Sequence, residues 1–293
     1  MQDILKKIGE IGIVPVVVIK DANKAVDLAR ALVEGGIPCA EVTFRTSAAA
    51  EAIEKMSKAY PELILGAGTI LTEEKALAAV NAGAKFLVSP GYDQKLVDWT
   101  QEHNVPYVPG VCTASEVQVA VANGFEVLKF FPAEASGGVP MIKNLCGPFP
   151  QVKFMTTGGI SNDNIEHYAK SPNVLAVGGS WMVKADLIEA QDWDTIKAKC
   201  HEAISALHGF AFKGLELSCK PESEKALKAQ LAPFGLAINT SSTKPDIYIN
   251  SNEEKGAKLI ISTYNLERSK SYLNDYGCGL KCGDYDIVLV QSK

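Results

Sequence analysis

The sequence predicts an α/β chain, a closed (β/α)8 barrel followed by a small α+β domain. Eight short β-branched runs alternate with alanine-rich helical stretches over about 205 residues, a regularity that an open sheet of eight strands rarely keeps. Near His208-Gly-Phe-Ala-Phe the alternation stops, which sets residues 209–293 apart from a barrel spanning 1–207. No Gly-x-Gly-x-x-Gly opens a helix after the first run, which argues against a dinucleotide fold. Period alone does not prove closure, so an open doubly wound sheet stays as the alternative.

The expected strands are 13–19, 39–44, 64–69, 86–89, 107–112, 127–131, 153–156 and 174–177, from their β-branched content. Helical patterns fall at 22–34, 48–60, 73–82, 94–103, 115–123 and 162–169, with N-caps expected at Asp21, Ser47, Thr72, Thr113 and Ser161. Thr113-Ala-Ser-Glu116 spells a capping box. In the tail, strands are expected at 212–218, 236–239, 246–249, 258–262 and 286–291, with helices near 223–231 and 266–276.

Composition narrows the class of partner. The 293 residues carry a net charge of -5 with Lys and Arg scattered, so nucleic acid and anionic membranes are not expected and a small molecule is. The N-terminus lacks a secretory pattern and the longest apolar run, near 11–19, falls short of a membrane span, which suggests a cytoplasmic protein. Seven cysteines, an odd number spread along the chain, read as reduced thiols. Cys278 and Cys282 are the only close pair, and no histidine follows His208, so no metal or other cofactor is expected. His103, His167, His201 and His208 share no spacing and read as structural or solvent-facing.

The chemistry-bearing stretch is Gly124-Phe-Glu-Val-Leu-Lys129-Phe-Phe-Pro-Ala-Glu134-Ala-Ser-Gly137. On a strand, Val127, Lys129 and Phe131 share one face and Leu128 and Phe130 the other, and both faces look buried. Desolvation there disfavours an ammonium and leaves a nucleophilic amine, suited to Schiff-base formation with a ketone. A lysine snorkelling from a strand end is the plainer reading.

The second strand ends Glu41-Val-Thr43-Phe-Arg45, placing three polar side chains on one face. Strands two and six lie opposite each other in a barrel, so Glu41 can approach Lys129 as a catalytic partner, or form only a structural ion pair. In Leu65-Gly-Ala-Gly-Thr69 the same alternation puts Ala67 towards the axis and Thr69 at the top, unless the segment is merely a tight connection. Ser89-Pro90-Gly91 reads as a turn that brings Pro90 to the lining. Gly158-Gly159-Ile160-Ser161 and Gly178-Gly179-Ser180 free backbone N–H groups for an anion where barrels hold phosphate, or serve as simple turns.

Two segments, Gly36-Ile-Pro-Cys-Ala-Glu41-Val-Thr-Phe-Arg45 and the Lys129 stretch through Gly137, resemble the signatures of bacterial 2-keto-3-deoxy-6-phosphogluconate and 4-hydroxy-2-oxoglutarate aldolases. The resemblance extends over residues 1–207 and takes in Gly66-Ala-Gly-Thr69, Ser89-Pro90-Gly91, Thr157-Gly158-Gly159-Ile160-Ser161 and Gly178-Gly179-Ser180-Trp181. It implies a homotrimeric, metal-free class I aldolase of the Entner–Doudoroff type acting on a keto-acid phosphate. Lys129 would then be the Schiff-base residue and Glu41 the general acid/base. Arg45 and Thr69 would hold the pyruvyl end, Gly158, Gly159, Gly179 and Ser180 the phosphate, and Pro90 and Phe131 would line the pocket. The alternative is a non-catalytic pyruvate-binding regulator or scaffold on the same barrel, separated from an enzyme by a pyruvate-release assay. The tail faintly resembles glyoxalase-like vicinal-oxygen-chelate modules without recognisable metal ligands, which points to a structural or regulatory role. Substrate length and C4 stereochemistry depend on contacts that the sequence does not reveal.

Overall fold

The computed structural model describes residues 2–218, 246–250, 256–276, 281–282 and 285–292. The chain divides into two compact units, residues 1–207 and 208–293. No helix among the described residues is long and apolar enough to cross a membrane.

The first unit runs α1 (Gln2–Ile11), β1 (Ile13–Val17), α2 (Ala25–Glu34), β2 (Cys39–Thr43), α3 (Ala49–Ala59), β3 (Ile64–Gly68), α4 (Glu73–Asn81), β4 (Phe86–Val88) and α5 (Gln94–Glu102). It continues with β5 (Tyr107–Val108), β6 (Gly110–Val111), α6 (Ala114–Ala122), β7 (Val127–Phe130), α7 (Gly138–Cys146), β8 (Lys153–Thr157), α8 (Ile165–Ala169), β9 (Val174–Gly179), α9 (Ala185–Ala190) and α10 (Trp193–His208). The sheet order is β5-β4-β3-β2-β1-β9-β8-β7-β6, all parallel. β5 and β6 are two pieces of the single strand expected at 107–112, parted at Pro109, which has no N–H for the ladder. One piece pairs with β4 and the other with β7, so the ring closes as an eight-stranded barrel.

Register fixes which side chains face the axis, because paired residues of parallel strands point the same way. Val16 pairs with Glu41, Glu41 with Gly66 and Gly66 with Phe86; from the other side, Gly110 pairs with Lys129 and Lys129 with Met155. The expected facing of β3 is therefore reversed: Gly66 and Gly68 point inward and Ala67 outward. A Cβ on Gly66 would collide with the Phe86 ring and one on Gly68 with the Glu41 carboxylate, so the glycines make the room that Ala67 was expected to leave.

Thr72 and Thr113 cap as expected, the latter in a full capping box with Glu116, and Asp21 caps a short 3-10 turn at Ala22–Lys24 ahead of α2. Ser47 does not cap α3, whose N-cap position is Ala48 with no side-chain bond. Ser161 accepts from Asp163 N at 3.3 Å, but the N-cap position of α8 is Asn164, which makes no side-chain cap bond. The helices α1, α7, α9 and α10 have no counterpart among the helical stretches named above from the sequence. Buried Ile8 and Ile11 on α1 and Ile196, Cys200, Ala203 and Leu207 on α10 show the helical spacing that marks them as packed helices.

The second unit contains β10 (Ala211–Ser218), β11 (Asp246–Asn250), β12 (Gly256–Thr263), α11 (Leu266–Asp275), β13 (Lys281–Cys282) and β14 (Tyr285–Gln291), in the sheet order β11-β10-β12-β14-β13. The expected strand at 236–239 and helix at 223–231 lie outside the described residues. β10 and β11 are parallel, as are β12 and β14, while β10 and β12 are antiparallel with Leu215 opposite Leu259. Gly214 pairs with Asp246 and Lys258 with Asp286, so in each parallel pair the residue before the central Leu lies opposite an Asp. His208 is buried, its Nδ1 2.7 Å from Ser269 Oγ, and Thr263 Oγ1 donates to its carbonyl at 2.7 Å. Burial first, and the neighbouring Arg268 second, hold the imidazole far below its ordinary range, at about 3.

Candidate active site

Strands of a parallel barrel end at one mouth, and the inward positions nearest that mouth carry the polar side chains. From β7, Lys129 reaches across the axis to β2, where its Nζ lies 3.1 Å from Glu41 Oε1 and 3.4 Å from Oε2. Both are interior, Lys129 5% and Glu41 1% exposed. An ion pair so deep gains nothing over apolar packing, since desolvation offsets most of the attraction, so its retention points to chemistry rather than stability. Phe131, past the end of β7, holds its ring centroid 5.4 Å from Nζ. Thr43, inward on β2, is engaged elsewhere, donating to Val17 O at 2.9 Å.

Thr69 explains how β3 ends. Its φ is 58°, strained for a β-branched residue, and the turn it makes breaks the strand alternation. Its hydroxyl then accepts from Arg45 Nε at 3.3 Å, which joins two of the residues singled out in the sequence. Pro90 sits beside Gly110, where any Cβ would collide with the Pro90 carbonyl. Ser89 Oγ fastens this turn, 2.5 Å from Gly91 O and 2.6 Å from Tyr107 OH.

Arg45 also lines a cavity of about 170 Å³ with Val16, Val18, Thr157, Gly158, Gly159, Ile160, Gly179 and Ser180. Gly158 and Gly159 adopt φ of 109° and 78°, a left-handed run open to glycine, and press against Pro132 and Glu134. Ala133 N donates to Thr157 O at 2.8 Å and Glu134 N to Gly158 O at 3.0 Å, which pins this loop beside the Lys129 strand.

Thr157 was not singled out in the sequence. It is almost wholly buried, lines the same cavity, and its hydroxyl has no hydrogen-bond partner among the described residues. Such a group is costly unless something pairs with it. Alternation through β8 puts Met155 and Thr157 on the inward face with Lys129, and β8 runs one residue past the strand end expected at 156.

Cys39, inward and two residues before Glu41, is held well above the usual thiol range, by burial first and the Glu41 charge second, and so is no competing nucleophile. Among the described residues no three His, Cys, Asp or Glu side chains are grouped to hold a metal; Cys278 lies outside them.

Residues 4–199 match the family described as "KDPG and KHG aldolase". The 2-dehydro-3-deoxy-phosphogluconate aldolase of Haemophilus influenzae is 43% identical over 206 residues, covering 70% of this chain and 97% of that protein. The KHG/KDPG aldolase of Escherichia coli K12 is 44% identical over 192 residues, 66% of this chain and 90% of its own. Among solved structures, the KDPG aldolase of Legionella pneumophila, with pyruvate captured at low pH as a covalent carbinolamine intermediate, is 41% identical with a TM-score of 0.66, covering 68% of this chain and 97% of that one. The 2-keto-3-deoxy-6-phosphogluconate aldolase of Zymomonas mobilis, solved with 3-phosphoglycerate, is 38% identical with a TM-score of 0.65, covering 70% and 94%. Sequence, barrel and relatives agree, and the chain belongs to the KDPG and KHG aldolase family.

Proposed function

We propose that this chain is a class I aldolase that cleaves 2-keto-3-deoxy-6-phosphogluconate to pyruvate and glyceraldehyde 3-phosphate, and/or 4-hydroxy-2-oxoglutarate to pyruvate and glyoxylate, through a Schiff base on Lys129. The observation that carries this reading is the buried Lys129–Glu41 pair, 3.1 Å apart inside the barrel. Glu41 takes a proton from Lys129, and the free amine attacks the C2 ketone. Glu41 returns that proton to the carbinolamine hydroxyl, which leaves as water and yields an iminium. As a carboxylate again, it removes the C4 hydroxyl proton while the C3–C4 electron pair moves into the iminium. The aldehyde departs, the enamine takes a proton at C3, and hydrolysis frees pyruvate and Lys129.

Arg45 and Thr69 are assigned the pyruvyl carboxylate, and Pro90 and Phe131 the walls. Gly158, Gly159, Gly179 and Ser180 are assigned the phosphate, and the unpartnered Thr157 hydroxyl a substrate hydroxyl. Support comes from the carbinolamine in the Legionella enzyme and the phosphoglycerate in the Zymomonas enzyme. The same reading makes the protein a cytoplasmic homotrimer of the Entner–Doudoroff route. It makes residues 209–293 a structural or regulatory module, resembling a degenerate glyoxalase-like one, that a chain ending at Leu207 can lose while keeping most turnover. A sedimenting mass of three chains checks the trimer.

The direct test is pyruvate release from each substrate, read by a coupled lactate dehydrogenase. Lys129→Ala should lose at least about a thousandfold in kcat, since among the described residues Lys129 is the one buried lysine. Undiminished turnover in that variant overturns the proposal.

A further inference from the structure

The two glycine loops of the anion cavity are joined by one side chain. The Trp181 indole occupies the space that a Cβ on Gly179 would need, and its Nε1 donates to Asn162 Oδ1 at 2.9 Å. Gly179 does not have a left-handed φ, so the indole's close approach, and not a turn, is what demands glycine there. Asn162 belongs to the other loop, which Asn164 folds back on itself: Oδ1 accepts from Ser161 N at 2.9 Å and Nδ2 donates to Gly159 O at 3.0 Å. Neither Trp181 nor Asn162 lines the cavity.

We propose that Trp181 and Asn162 are positioning residues that set the spacing between Gly158-Gly159 and Gly179-Ser180, and thereby the selectivity for a phosphorylated over an unphosphorylated keto acid. The proposal rests on the anion reading of those glycines. Charge-assisted hydrogen bonds to an anion demand short, fixed distances, so donors on two loops act together only while the loops keep their separation. The Trp181–Asn162 bond ties those two loops directly, and Asn162 is exposed, so its loss leaves the ring on Gly179 and the fold intact.

The test compares Asn162→Ala, Trp181→Phe and the double variant on 2-keto-3-deoxy-6-phosphogluconate and on 4-hydroxy-2-oxoglutarate. Each single variant should raise KM for the phosphorylated substrate by about three- to tenfold, the range expected for one lost hydrogen bond, with kcat nearly unchanged. KM for the short substrate should stay within about twofold, and the double variant should be no worse than the weaker single, because both remove the same bond. An unchanged KM for the phosphorylated substrate overturns the proposal, as does an equal rise for both substrates, which would mark a merely structural tie. Should the unmodified enzyme itself show no preference for the phosphorylated substrate, the anion reading falls and this proposal with it. A preference that persists in both variants removes the clamp alone.

Discussion

The two ends of the proposed substrate cavity are built from different material. At the inner end, side chains carry the proposed chemistry: Lys129 and Glu41 are anchored on opposite strands and meet at 3.1 Å. At the outer end, the proposed anion contacts are mostly backbone, with Gly158 and Gly159 held in left-handed conformations and Gly179 kept bare for an indole. Side chains on paired strands are stiff and chemically specific, which suits proton transfer. Bare backbone supplies donors that neither titrate nor move, which suits an anion far from the bond being broken. Substitutions at the inner end should therefore cost turnover, and those at the outer end should cost discrimination.

The largest effect after loss of Lys129 is expected from Glu41→Gln, which keeps the shape and removes the proton carrier. Its kcat should fall by about 10²- to 10⁴-fold, with loss of proton exchange at the pyruvate methyl seen by proton NMR in deuterated buffer. Wild-type exchange would remove Glu41 from the mechanism. Next is Gly68→Ala, whose Cβ lands on the Glu41 carboxylate. Displacing that group by about 1 Å should cost roughly 10²-fold in kcat, measured alongside an unchanged circular dichroism spectrum.

At the outer end the effects are smaller. One or two charge-assisted hydrogen bonds, at about 1.5–3 kcal/mol each, should favour the six-carbon phosphate over 4-hydroxy-2-oxoglutarate in kcat/KM by at least about tenfold. Ser180→Asp should erase that preference through like-charge repulsion while pyruvate adduct formation persists. Equal efficiency on both substrates, or an unchanged ratio in the variant, would make these glycines simple turns. An acidic side chain at 179 is a poorer probe, since it must first displace Trp181.

A separate effect lies in the second unit and concerns pH. His208 stays neutral in the folded chain down to about pH 3, while in the unfolded chain it protonates below its ordinary 6.5. Folding stability is thus unaffected above 6.5 and declines as pH falls from there towards 3, approaching about 1.4 kcal/mol per pH unit. Hydrogen exchange of β12 amides at pH 7 and pH 5 should show this decline, and His208→Gln should flatten it.

What the sequence disclosed follows the same division. Alternation along β2 and β7 was enough to set Glu41 and Lys129 on facing interior positions, because strand parity is a property of the chain itself. Parity alone does not fix the facing of β3, where alternation from the sequence puts Ala67 inward with Leu65 and Thr69. The barrel instead needs its space beside Phe86 and Glu41, so the glycines turn inward, and Thr69 reaches Arg45 only by leaving the strand conformation. Thr157 was lost to a strand end placed one residue early. The Trp181–Asn162 tie was beyond sequence reasoning, since it joins residues whose proximity exists only once the barrel has closed. The helix α1 precedes the first strand and so lies outside the strand–helix alternation from which the sequence predicts a barrel.

Reduction of the Schiff base shows whether Lys129 is the amine that captures a keto acid. The protein is incubated with pyruvate and sodium borohydride, and its intact mass and peptide map are recorded for the unmodified chain and for Glu41→Gln. One reduced pyruvyl group per chain is expected on Lys129, formed readily by the unmodified protein and still detectable in the variant, because imine formation and C–C bond cleavage make separate demands on Glu41. A label on another lysine, or full labelling of Lys129→Ala, would contradict it.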